Sequence, residues 1–191
     1  QAGPRSDPVT SAQVKTARWA LWLPLVLFGA FVVLVLFGLL RPAEREVRSK
    51  MIGKPLPEFS LQPAIADRPG FARADMATGQ PRLLNIFASW CIPCAVEAPQ
   101  LLALKQAGVQ IDGVAIRDKR EDVEAFLARH GNPFTRIGAD NVSAIQFAIG
   151  SSGVPESFVI DGKGVIRYQH IGEIRPEHVP VILEKLQEAG R

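Results

Sequence analysis

Leu83-Leu84-Asn85-Ile86-Phe87-Ala88-Ser89-Trp90-Cys91-Ile92-Pro93-Cys94 is the stretch whose reading decides the fold. Leu83 to Ala88 is a near-continuous apolar run of strand length, the pattern of a strand buried on both faces. It leads straight into Cys-x-x-Cys, and Cys94 to Gln106 reads as a helix ended by Gly108. A buried strand that delivers a cysteine pair to a helix N-terminus is an arrangement for thiol–disulfide exchange. The first sulfur is expected to lie exposed, where the helix dipole favours a thiolate, with the second one turn behind to resolve a mixed disulfide. These are the only two cysteines in the 191-residue chain.

Downstream, strands and helices alternate. Val109 to Ile116 reads as a strand. Glu121 to His130 reads as an amphipathic helix, with Val123, Phe126 and Leu127 on one face and Gly131-Asn132-Pro133 as its stop. A short strand over Phe134 to Ile137 and a short helix over Val142 to Phe147 follow. Ser157 to Ile160 and Val165 to His170 flank Asp161-Gly162-Lys163-Gly164, a hairpin signal. A last helix, Pro176 to Glu188, turns Val179, Ile182, Leu183 and Leu186 inward. Upstream, Glu58 to Leu61 is a candidate edge strand, followed by a loop through Arg68-Pro69-Gly70. This order predicts an α/β domain of three layers with a mixed central sheet.

Further toward the N-terminus, Trp19 to Leu40 carries no charged side chain. At helical rise it covers about 33 Å, enough to cross a bilayer's hydrocarbon core. Trp19 and Trp22 stand near one end, Arg18 and Arg41 close both ends, and Pro24 is expected in the first turns, where its missing N–H costs little. The run is too long for a signal peptide, and Leu39-Leu40-Arg41-Pro42 lacks a small-x-small cleavage site. The expected division is a cytoplasmic tail over 1–18, a transmembrane anchor over 19–40, a linker over 41–54 and a domain over 55–191.

Lys15 and Arg18 precede the span, while Arg41, Arg45, Arg48 and Lys50 follow it, so charge does not decide its orientation. The domain is placed outside the cytoplasm because a tethered dithiol is most useful where disulfides form. A net charge of +3 with no basic tract interleaved with aromatics gives nucleic-acid binding no support. A structural disulfide or half a zinc site are the other readings of Cys91 and Cys94. A zinc tetrad needs further ligands, and His130, His170 and His178 lack finger-like spacing.

Trp90-Cys91-Ile92-Pro93-Cys94 with Pro99, followed by Gly153-Val154-Pro155, resembles the thioredoxin superfamily. Trp-Cys-x-x-Cys-x-x-Glu (Trp90 to Glu97), Gly131-Asn132-Pro133-Phe134, Gly153-Val154-Pro155-Glu156-Ser157-Phe158-Val159-Ile160-Asp161 and Gly164-Val165-Ile166-Arg167-Tyr168-Gln169-His170 are similar to its membrane-anchored DsbE/CcmG branch. The resemblance covers the whole domain after the linker and implies a thioredoxin-like fold. It implies Cys91 as nucleophile, Cys94 as resolving thiol, and Pro155 in a cis-proline loop opposite the cysteine helix. Trp90, Pro93, Glu97, Val154, Pro155 and Glu156 are implied to tune the pair or touch substrate, with Trp90 shielding it. No metal or organic cofactor is expected.

Acids at positions 97 and 156 bordering the site would disfavour the Cys91 thiolate, which makes the dithiol a reductant. Asp118 and Arg120 are further candidates for the same face. The family's role implies a periplasmic protein of the bacterial inner membrane in cytochrome c biogenesis. It would reduce apocytochrome c cysteines or a CcmH-type partner and be recharged by a DsbD- or CcdA-type donor. The competing roles are a tethered reductase for copper-site assembly or broader clients, and a non-catalytic scaffold. Copper chaperones of this fold usually space their cysteines by three residues, unlike Cys91 and Cys94.

Overall fold

The computed structural model describes residues 12–40 and 49–191, and within the first range the side chains of 22–38. Two compact units divide at residues 45 and 46.

In the first unit, α1 spans Ala12–Leu40. It starts before the expected Trp19 because Ala12 to Arg18 holds no helix breaker. Pro24 therefore lies roughly three turns inside the helix and not at its start, so it removes an interior hydrogen bond. The described side chains are apolar all round, as Trp22, Leu25, Phe28, Phe31 and Leu34 illustrate. Over the described residues no helix is long and apolar enough to cross a membrane. Residues 1–11 and 41–48, on which most of the tail and most of the linker fall, lie outside the described residues.

The second unit is built on one mixed sheet of seven strands, ordered β2-β1-β5-β4-β3-β6-β7. β3 (Arg82–Phe87), β4 (Ile111–Ile116) and β5 (Arg136–Asp140) are parallel neighbours. β6 (Glu156–Ile160) and β7 (Ile166–Ile171) extend the sheet antiparallel beyond β3. Every residue of β3 and β4 is buried, as the apolar run at Leu83 required. The crossover helices are α2 (Ile92–Gln106) and α3 (Arg120–His130), and α2 packs against both α3 and the final helix α5 (Val179–Ala189). A short α4 (Ala144–Ala148) follows β5.

Three elements depart from expectation. The first strand is β1, Ser60–Pro63, and it is not an edge, because β2 (Phe71–Ala72) pairs outside it. Gly70 makes that return possible, since a Cβ there would sit 2.2 Å from the Leu61 carbonyl oxygen. Phe71 is then buried, edge-on to Phe59 with ring centroids 5.7 Å apart. The expected strand at Phe134 begins instead at Arg136. Phe134 is drawn into the core, its ring stacked 4.7 Å from that of Phe87. Finally, the expected linker does not reach Lys54. Ser49 is already buried, and the chain from there lies along β7, with the Gly53 amide on the Ile166 carbonyl and the Ile166 amide on that of Lys54. An unpaired sheet edge offers those hydrogen bonds to any nearby backbone.

Candidate functional site

β3 ends at Phe87, and Ser89-Trp90 turn the chain into α2. Cys91 is the N-cap of that helix, in extended backbone, and its Sγ accepts a hydrogen bond from the Cys94 amide at 3.2 Å. Pro93 falls in the first helical turn, where no N–H is needed. Cys91 and Cys94 form a disulfide, with Cα atoms 5.3 Å apart. Cys91 is 4% exposed and Cys94 2%, so the expectation of an exposed first sulfur is corrected for this oxidised form. Bonded to Cys94, the Cys91 sulfur is turned back over the first turn of α2 and joins the apolar core. Cys91 itself still sits at the sheet's rim, between Trp90 (53% exposed) and Ile92 (79%).

The rim around Cys91 is held from the β4–α3 loop. Both carboxylate oxygens of Asp118 accept from Ser89, from its amide at 2.5 Å and its hydroxyl at 2.7 Å. The Trp90 indole donates to the Arg117 carbonyl at 3.3 Å, and the Arg117 guanidinium lies 5.8 Å from the ring. Trp90 thus leans on Arg117. Asp118 belongs to the site as a clamp on Ser89, whereas Arg120 starts α3 and is exposed.

The second wall comes from β6. Register pairs Glu156 with Ile86, which sets Pro155 beside the end of β3, at the same end of the sheet as Cys91. The Val154–Pro155 peptide is cis, and Val154 packs on the core. The Pro155 carbonyl accepts from the Gly172 amide at 3.0 Å.

Neither acid lies on the surface. Glu97, one turn beyond Cys94, is 1% exposed. Its Oε1 accepts from Asn85 Nδ2 at 2.9 Å and its Oε2 from the Ile174 amide at 3.0 Å. Burial drives its pKa up to about 7, against the pull of these two hydrogen bonds. Asn85 also donates to the Ser157 hydroxyl at 3.0 Å. A void of about 10 Å³, at the lower limit of what one water needs, lies among Asn85, Phe87, Cys94, Glu97 and their neighbours.

Glu156 is equally buried, and its oxygens accept from the amide and hydroxyl of Ser152 and from Gln169 Nε2. The expected picture of two acids fringing the site is therefore corrected: Glu97 lies behind Cys94, and Glu156 straps the cis-proline loop. A broader depression of about 450 Å³, around Asp161, Lys163, Arg167 and Lys185, opens at the opposite end of β6.

Asn85, Ser157, Ile174, Ser89, Ser152 and Gln169 were not singled out in the sequence. Asn85 alone carried a signal, as the one polar residue inside the apolar run of β3. Ile174 acts through its backbone, and Ser152 and Gln169 look like ordinary loop and strand residues.

Comparison with known proteins gives a consistent result. The redoxin family model matches residues 51–186. The thiol:disulfide interchange protein HelX of Rhodobacter capsulatus is 37% identical over 170 residues, covering 89% of this chain and 94% of that protein. The thiol:disulfide interchange protein DsbE of Escherichia coli K12 is 38% identical over 165 residues, covering 83% and 88%. A crystal structure of a thiol:disulfide interchange protein DsbE from Chlorobium tepidum superposes with a TM-score of 0.63 at 28% identity, over 73% of this chain and 98% of that one.

Proposed function

This chain belongs to the redoxin family, in the DsbE/CcmG branch of thiol:disulfide interchange proteins, and on that basis we propose that it is a membrane-anchored periplasmic reductant serving cytochrome c biogenesis. Disulfide oxidoreductase chemistry comes with the family. The observation that carries the reading is the Cys91–Cys94 disulfide at the N-cap of α2, at the end of the sheet where the cis-Pro155 loop begins β6.

In the reduced protein, the Cys91 thiolate attacks one sulfur of a substrate disulfide and expels the other as a thiolate. The Cys94 thiol then gives up its proton and attacks Cys91 Sγ. That step forms the Cys91–Cys94 bond, releases the second substrate thiol, and leaves the substrate two electrons richer. Glu97, one turn behind Cys94 and titrating near neutrality, is placed to take that proton. A buried carboxylate behind the pair also opposes a thiolate in front of it, which favours the direction dithiol to disulfide. The reaction needs no metal or organic cofactor.

The substrate is the disulfide of an apocytochrome c haem-attachment motif, or a CcmH-type partner carrying it, because thioether formation needs free thiols. A DsbD- or CcdA-type donor returns the dithiol. The uncharged run from Trp19 to Leu40 in the sequence supports the single-pass anchor. The orientation, with the tail over 1–18 in the cytoplasm and the domain in the periplasm, rests on where a tethered dithiol is useful. Tethering raises the effective concentration of both partners.

The test is trapping in membranes with the full chain. Cys94→Ser is expected to accumulate a covalent adduct through Cys91 with an apocytochrome or its thiol partner, and Cys91→Ser to show neither adduct nor peptide-disulfide reduction. An adduct through neither cysteine, with cytochrome c assembly intact in the double variant, would leave only a scaffold.

A further inference from the structure

Behind the cis-proline loop runs a chain of buried polar contacts that the thiol chemistry does not use. The Glu156 carboxylate holds both ends of the loop together. Its Oε1 accepts from Ser152, from the amide at 2.9 Å and the hydroxyl at 2.5 Å, while its own backbone begins β6 directly after Pro155. Its Oε2 accepts from Gln169 Nε2 at 2.9 Å. Gln169 is buried on β7, and its Oε1 accepts from the Ser49 amide at 2.6 Å.

That last contact sets the amide's orientation. With an N–H donor on one side and a carboxylate on the other, only one placement of oxygen and nitrogen satisfies both. Ser49 is itself fixed, since its hydroxyl donates to the Ile149 carbonyl at 2.5 Å and accepts from the Met51 amide at 3.0 Å. The approach is close enough that a Cβ on Gly150 would lie 2.7 Å from the Ser49 hydroxyl oxygen.

We propose that Gln169 and Ser49 are positioning residues of the site: the segment by which the chain enters the domain orients Gln169, which holds Glu156, which sets the cis-proline loop against Cys91. This rests on the reductase reading and adds to it a physical link between the chain's entry point and the substrate-facing loop. Without the Gln169 donor, Glu156 is a buried carboxylate one partner short, and its grip on Ser152 loosens. The thiols, at the N-cap and in the first turn of α2, are outside this chain of contacts.

The experiment uses the full chain in detergent and two electron-transfer reactions. One is reduction of a disulfide-bonded Cys-x-x-Cys-His peptide by the reduced protein. The other is reduction of the protein's own disulfide by dithiothreitol, which needs no peptide-binding loop. Gln169→Leu is expected to raise the peptide KM about tenfold, the scale of one hydrogen bond to a charged group. Its kcat and dithiothreitol rate stay within about twofold.

Glu156→Gln with Gln169→Glu exchanges donor and acceptor along the same contact, and is expected to restore most of the KM. A KM unchanged in Gln169→Leu, or raised and not restored by the exchange, overturns the proposal. Failure of the unaltered protein to reduce the peptide would count against the reductase reading. The relay is then judged by the amide NMR signals of Gly153 and Val154. These must move in Gln169→Leu and return in the exchanged pair; signals that stay in place overturn it.

Discussion

Glu97 holds its proton in the folded protein up to about pH 7, whereas an unburied glutamate releases it near 4.5. Between those values the unfolded chain loses the proton first, so the folded state becomes progressively less favoured as pH rises. The loss is complete above pH 7 and amounts to about 3 kcal/mol. Glu97→Gln is expected to remove this slope, so that its stability relative to the parent improves from pH 4.5 to pH 8 in urea titrations. The amide fits, because Asn85 Oδ1 has no partner and a turn of the Asn85 amide offers it to the new donor. A slope identical in both proteins would place the titration elsewhere. At this scale Cys91 and Cys94 were legible, because they are tied to a local spacing, whereas Pro155 came only with the family resemblance. The burial of Glu97 was not, since the Ile174 amide that meets it lies 77 residues further along the chain.

Among the elements, α4 shows how much one side chain does for a short helix. Asp140, at the end of β5, accepts from the amides of Ala144 at 2.7 Å, Ile145 at 3.0 Å and Gln146 at 3.1 Å. These are orphan donors of a helix start, and a carboxylate is also favoured there by the helix dipole. Asp140→Ala is expected to cost about 2 kcal/mol, read as a lower urea midpoint with an unchanged slope. The reduction of small disulfides should persist. The positions of β3, α2 and the β6–β7 hairpin were readable because burial pattern, N-cap and turn chemistry agree within each segment. The shift of the strand from Phe134 to Arg136 was not, since it depends on Phe134 stacking on Phe87 from another strand.

Across the whole molecule, one buried ion cluster ties together the three parallel strands that present the site at their far ends. Asp112 on β4 accepts from Arg82 on β3 at 2.7 Å and from Arg136 on β5 at 3.0 Å. Arg82 also donates to Thr78, and Arg136 to the Asp75 carbonyl. Asp112→Asn leaves two guanidinium groups without their shared carboxylate, with Arg82 almost fully buried. Removing one partner of such a group costs about 3–5 kcal/mol, so the variant is expected to melt far below the parent in calorimetry. A loss under about 1 kcal/mol would show that the cluster is solvated in solution.

The chain's local patterns determined the alternation of elements, the cysteine pair at a helix start and the uncharged run near the N-terminus. Each of these depends on residues within a few positions of one another, where strand period, helix capping and turn preference act. Tertiary structure alone decided that both acids are buried, that Asp118 clamps Ser89, and that Ser49 reaches Gln169 across 120 positions. Such pairings follow from how the strands are ordered in the sheet. A buried carboxylate takes whichever donors that order brings within reach, and sequence spacing carries no record of them.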